Sequence, residues 1–91
     1  MTKFPILDTA DIPFEIELEK LREETEELIE AANLYNNNEV ICIDEVIEES
    51  YDVIQVVVNI LYRLGLLEFM SEGLEKHIKK LKARGWNFKG E

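Results

Sequence analysis

Apolar and small residues recur in steps of four and three from Phe14 through Leu18, Leu21, Thr25, Leu28 and Ala32 to Tyr35, a spacing that places them on one face of an α-helix. Asn36, Asn37 and Asn38 end the run, since asparagine competes for backbone hydrogen bonds and tolerates left-handed turns. A second segment, roughly residues 39 to 64, aligns Val46, Ser50, Val53, Val57, Ile60 and Leu64 and stops at Gly65, a natural C-cap. Its β-branched residues also suit a strand, but its length and the acids before the apolar run favour a helix. The third segment carries Leu67, Met70, Leu74, Ile78 and Leu81 and runs out at Arg84 and Gly85. It reads as one helix, or as two with a break near Ser71 and Gly73.

Residues 1 to 12 form an irregular arm in which Asp8, Thr9 and Asp11 lead toward a helix start. Residues 85 to 91 form a tail whose Trp86 and Phe88 are expected to anchor on a groove. These elements predict a single all-α domain of antiparallel helices with a four-helix-bundle type of core. Val53, Ile54, Val56, Val57, Val58, Ile60 and Leu61 cover nearly every side of the second helix. A helix that is apolar all round needs partners on all sides, so a homodimer or homotetramer is expected to complete the bundle.

Charge changes this picture. The chain of 91 residues has 20 acids against 10 bases, which disfavours binding to nucleic acid through phosphate neutralisation. Sixteen acids lie between Asp8 and Asp52, whereas Lys76, Lys79, Lys80, Lys82, Arg84 and Lys89 make the C-terminal segment basic. Cys42 is the only cysteine, which excludes an internal disulfide, suits a reducing cytoplasm and reads as a small core hydrophobe. Neither a signal peptide nor a membrane-spanning run is apparent.

The acids are patterned. Residues 23–32, EETEELIEAA, and residues 48–57, EESYDVIQVV, share a pair of glutamates, a hydroxyl residue, an acid and then aliphatic positions. At about 100° per residue, Glu24 and Glu27 share one flank of the first helix, continued by Ala31, and Glu49, Asp52 and Val56 share the equivalent flank of the second. Packed antiparallel, the two helices can aim four carboxylates into one space. Such a cluster stays ionised only beside cations. With almost no bases nearby in sequence and no clustered Cys or His, an all-oxygen site for Mg²⁺, or Mn²⁺, is the economical answer. The plain alternative for the same acids is a solvated helix face.

The stretches LREETEELIEA, IEESYDVIQVVVNIL and HIKKLKARGW, in this order, resemble the MazG-like all-α nucleoside triphosphate pyrophosphohydrolases over residues 14 to 86. That family carries EExxE on one helix, ExxD on the next and a basic signature near the C-terminus. The resemblance implies Mg²⁺-dependent hydrolysis of a nucleoside triphosphate to monophosphate and pyrophosphate. By position it implies Glu24, Glu27, Glu49 and Asp52 as metal ligands, with Glu23 and Glu48 as catalytic acids around the general base. It also implies that Asn59 contacts the nucleotide and that Lys80 and Arg84 hold the triphosphate.

His77 stands near where many relatives have asparagine; on the seam with Leu74, Ile78 and Leu81 it reads as a core histidine. Two neighbouring readings remain open. One is a dedicated dUTP, dCTP or phosphoribosyl-ATP pyrophosphohydrolase, and the other a non-enzymatic acidic helical adaptor.

Overall fold

The computed structural model describes residues 4–39 and 42–90. It is all-α, with no strand among the described residues. Helices α1 (Phe14–Asn36) and α2 (Ile43–Arg63) pack antiparallel as a hairpin; a 3₁₀ turn (Leu67–Phe69) follows, and then α3 (Met70–Ala83). The third segment is therefore one α-helix entered through a 3₁₀ turn, and neither Ser71 nor Gly73 breaks it. The second helix, expected from about residue 39, starts at Ile43, and residues 40 and 41 lie outside the described residues.

All three α-helices end in the same way. After α2, Gly65 takes φ +72°, its N–H donates to the Tyr62 carbonyl at 3.0 Å, and the Leu66 N–H donates to the Leu61 carbonyl at 2.8 Å. That pair of bonds satisfies carbonyls the helix leaves open, and it needs one left-handed residue. Asn38, at φ 60°, does the same after α1, and Gly85 after α3. At the start of α1 the arrangement differs from the expected one: Pro13 occupies the N-cap with no side-chain bond, while Asp8 accepts the Ala10 N–H at 3.1 Å inside the arm.

The seam between α1 and α2 is rotated from the stripes read in the sequence. Ala31 and Val56 are its two buried apolar residues, at 5% and 6% exposure, and Glu17 and Asn59 are as deep, at 3% and 7%. Leu18, Tyr35, Val57 and Leu64, all placed on the apolar stripes, are exposed instead. A hairpin can bury only one stripe of each helix. The stripe it buries here holds Ala31 and Val56 and pairs Glu17 with Arg63 across the seam. Periodicity reports that a helix has an apolar face, not which molecule covers it.

Glu17 is held by Arg63, whose guanidinium donates at 3.0 Å to its carboxylate and lies 5.8 Å from the centre of the Phe14 ring. This pair ties the start of α1 to the end of α2. Gln55, Asn59 and Arg63, one turn apart on α2, grip the arm: Gln55 Nε2 donates to the Pro5 carbonyl at 2.8 Å, Asn59 Oδ1 accepts the Leu7 N–H at 3.3 Å, and Arg63 donates to the Thr9 carbonyl at 3.4 Å.

Cys42 and His77, expected in the core, and Trp86, expected on a groove, are exposed. Cys42 is exposed at the N-cap of α2, before the seam begins, with Sγ 3.8 Å from Glu45 Oε1. His77 and Trp86 are exposed because α3 packs against the 3₁₀ turn alone and reaches neither hairpin helix. Phe88 is half-buried, with Lys82 Nζ 5.4 Å from its ring centre.

Candidate metal centre

Glu24 on α1 and Glu49 and Asp52 on α2 meet across the hairpin, with one carboxylate oxygen of each within 4.8 Å of the other two. The antiparallel register brings them together. Glu24 lies two turns before Ala31 and Asp52 one turn before Val56, so each acid shares a flank of its helix with a residue buried in the seam. All three side chains are half-buried.

Burial pushes the Glu24 carboxyl above its ordinary value of 4.5, the charges of Glu27 and Asp52 and a hydrogen bond with Glu27 add to that, and Lys20 opposes it. Lys20, one turn upstream, is thus a base near the acids that the sequence reading passed over, and it offsets only part of their charge. Glu49 is raised as well, first by burial, then by a hydrogen bond with Glu27 and the charges of Glu27, Asp52 and Glu24. A hydrogen bond between two carboxyl groups exists only when one carries a proton. Without that proton, Glu24 Oε2 and Glu49 Oε2, both buried, have no hydrogen-bond partner among the described residues. The cluster therefore has two ways to lower its energy: hold protons, or hold a cation.

The donors suit a cation. They are carboxylate oxygens with no sulfur or imidazole, the set preferred by Mg²⁺ and Mn²⁺. Glu27, the fourth expected ligand, is exposed at the rim, beside Glu24 and Glu49 and outside the trio. It lines an open cavity of about 210 Å³ with Glu30, Ala31, Leu34, Glu45 and Glu49. Glu30 and Glu45 were not singled out in the sequence, although each lies one turn from a motif acid.

Glu23 and Glu48 are exposed and stand outside the trio. Asn59 is buried, and its Oδ1 accepts from both Leu7 N–H and Gln55 Nε2, the latter at 3.1 Å. Two donors on one atom fix the orientation of the amide. Lys80 and Arg84 are exposed near the far end of α3. With about 1.5 Å of rise per residue, Asp52 stands roughly 17 Å back along α2 from Arg63 and Lys80 roughly 20 Å out along α3. The 108° bend between the two segments leaves the acids and the basic pair on the order of 20 Å apart within one chain. The Glu17–Arg63 pair also escaped the sequence reading; an acid at the position after Phe14 on the same helix face, and a lone arginine closing an apolar helix, were its only signals.

No protein-family model matches this chain, and no curated protein or solved structure matches it either.

Proposed function

We propose that this chain is a Mg²⁺-dependent nucleoside triphosphate pyrophosphohydrolase of the MazG-like kind, working as a homodimer or a homotetramer around a four-helix bundle. The observation that carries the proposal is the convergence of Glu24, Glu49 and Asp52 with two buried, unpartnered oxygens. Isolated acids on a solvated face have neither the mutual approach of this trio nor the raised proton affinity of Glu24 and Glu49.

Glu24, Glu49 and Asp52 would hold the ion, and Glu27 would join them from the rim. When bound, Mg²⁺ supplies charge neutralisation for the phosphates and a more acidic water. Glu23 or Glu48 would accept the proton of the attacking water from the exposed side of the cluster. Lys80 and Arg84 would offset the negative charge that grows on the departing pyrophosphate.

The oligomer is supported by what the hairpin leaves uncovered. Leu18 and Ile29 on α1 and Ile47, Ile54, Val57 and Leu64 on α2 are large apolar side chains exposed in the single chain. The adaptor reading shares that observation but does not account for the orphaned carboxylate oxygens.

The test is pyrophosphate release from a panel of canonical and damaged nucleoside triphosphates with Mg²⁺. Asp52→Asn should lower turnover by at least about a hundredfold while circular dichroism stays helical, the loss expected when a charge that organises a reacting centre is removed. Release at the wild-type rate by that variant, or none from any triphosphate by the wild type, defeats the proposal.

A further inference from the structure

Glu48, Asp52, Gln55 and Asn59 follow one another on α2 in steps of four, three and four, so they form one row along a flank of the helix. The row begins at exposed Glu48, passes half-buried Asp52 and Gln55, and ends at Asn59, which is 7% exposed. Its first half adjoins the acid cluster. Its second half lies under the arm, and Asn59 stands about 10 Å along the helix axis from Asp52.

The arm covers that half in register. Two residues of extended chain advance about 6.6 Å and four residues of helix about 6.0 Å, so an extended backbone can meet a side chain at every turn of a helix it runs along. Pro5, Leu7 and Thr9 meet Gln55, Asn59 and Arg63 in that way, and one turn earlier on α2 the Tyr51 ring lies 6.0 Å from that of Phe4. The three hydrogen bonds all go to the main chain of the arm. Gln55 Nε2 spends its two hydrogens on the Pro5 carbonyl and on Asn59 Oδ1, which fixes both amides in place. The hold is nevertheless light. Ile6 and Leu7 stay 47% and 49% exposed, and two of the three bonds are 3.3 and 3.4 Å long. Arg63 has a second partner in Glu17, and the Thr9 carbonyl a second donor in the Ile12 N–H, so neither is left unpaired when the arm lifts. A segment with few buried apolar contacts opens at low free energy.

We propose that residues 4–9 are an autoinhibitory strap: they occupy the nucleoside end of the site, and substrate has to displace them. The inference rests on the proposed hydrolase reading and adds its regulation. With the phosphates at the acid cluster, the sugar and base can extend in either direction along the hairpin. Toward the start of α2 they meet a cavity lined by Glu27, Glu30, Glu45 and Glu49, whose carboxylates offer acceptors alone. Toward its end they meet Gln55 and Asn59, whose amides offer donors and acceptors, the combination that a base and a sugar require. Those amides are satisfied by the arm in the closed chain. Only the fraction of molecules with the arm lifted then binds nucleotide fully, and the apparent affinity is lower by that fraction.

Leu7→Pro tests the strap in the full chain, because it removes the N–H that Asn59 accepts, at an exposed position, and leaves the acids and amides of α2 untouched. It should lower KM about two- to tenfold at unchanged kcat, the fold-change that one lost hydrogen bond produces. In the wild type, amide exchange over residues 6–9 should quicken at least about tenfold when Mg²⁺ and the α,β-imido analogue of the best-hydrolysed triphosphate bind, as local opening requires. Inorganic tripolyphosphate with Mg²⁺ fills only the acid half and should leave that exchange unchanged. An unchanged KM in Leu7→Pro, with or without a lower melting midpoint, makes the arm a brace and overturns the strap while the hydrolase reading stands. Slower exchange of the arm with the analogue bound also overturns it, since the arm then closes over the nucleotide. Failure of wild type and Leu7→Pro alike to hydrolyse any triphosphate removes the hydrolase reading and the strap with it, whereas hydrolysis by Leu7→Pro alone supports both.

Discussion

Glu24 and Glu49 bind a proton more tightly in the folded chain than in the unfolded one, and the sign of that difference makes a prediction. A carboxyl with a raised pKa contributes stability that is fully present below its ordinary value of 4.5 and is lost as pH rises through the folded value. In chelator, the urea midpoint should therefore fall as pH climbs above 4.5, and the double substitution Glu24→Gln/Glu49→Gln should flatten that fall. Glu17 makes the opposite kind of case. Its charge is buried but answered by Arg63, so Arg63→Met strands a carboxylate at 3% exposure and should cost about 3 kcal/mol in urea unfolding. Adding Glu17→Leu should recover most of the loss. The converging acids Glu24, Glu49 and Asp52 were legible because their spacing repeats on two helices. Glu17–Arg63 was not, because two residues 46 positions apart reveal their pairing only after the hairpin closes.

The C-terminal ends of the helices were the most legible elements, since such a cap depends on neighbours a few residues away. Gly65 was expected to close α2, and its φ of +72° is the conformation that favours glycine. A Cβ there meets nothing within 4 Å, so Gly65→Ala should cost only the backbone strain, about 1 kcal/mol by chemical denaturation. Gly73 is the contrast. It lies inside α3 with open space around it, and Gly73→Ala should raise stability by roughly 0.5–1 kcal/mol. The β-branched run of α2 forms helix despite its composition, because one face of it packs along α1 and another grips the arm through Gln55 and Asn59. The helix faces were less legible: Val57 and Leu64 fit the stripe and lie outside it.

At the scale of the whole molecule, the hairpin and α3 together leave more apolar surface than one chain can cover. Ile54→Glu places a charge at 46% exposure in the single chain, so under the proposed homo-oligomer it should shift sedimentation toward monomer while helicity persists. Millimolar Mg²⁺ should raise the melting midpoint of the wild type and leave that of Glu24→Gln/Glu49→Gln nearly unchanged, because a ligand stabilises only the state that binds it. No single helix is long and apolar enough to cross a membrane among the described residues.

Three helical segments, their C-terminal ends and the duplicated acid motif could be read from spacing alone, because periodicity and turn chemistry act over one or two turns. Which faces meet could not. Glu24 reaches Asp52 and Glu17 reaches Arg63 only because the two helices close along the line that holds Ala31 and Val56, and that line is a choice among several apolar stripes that depends on every contact at once. The separation of Lys80 and Arg84 from the acids comes likewise from a single bend after Leu64, whose angle no local pattern encodes.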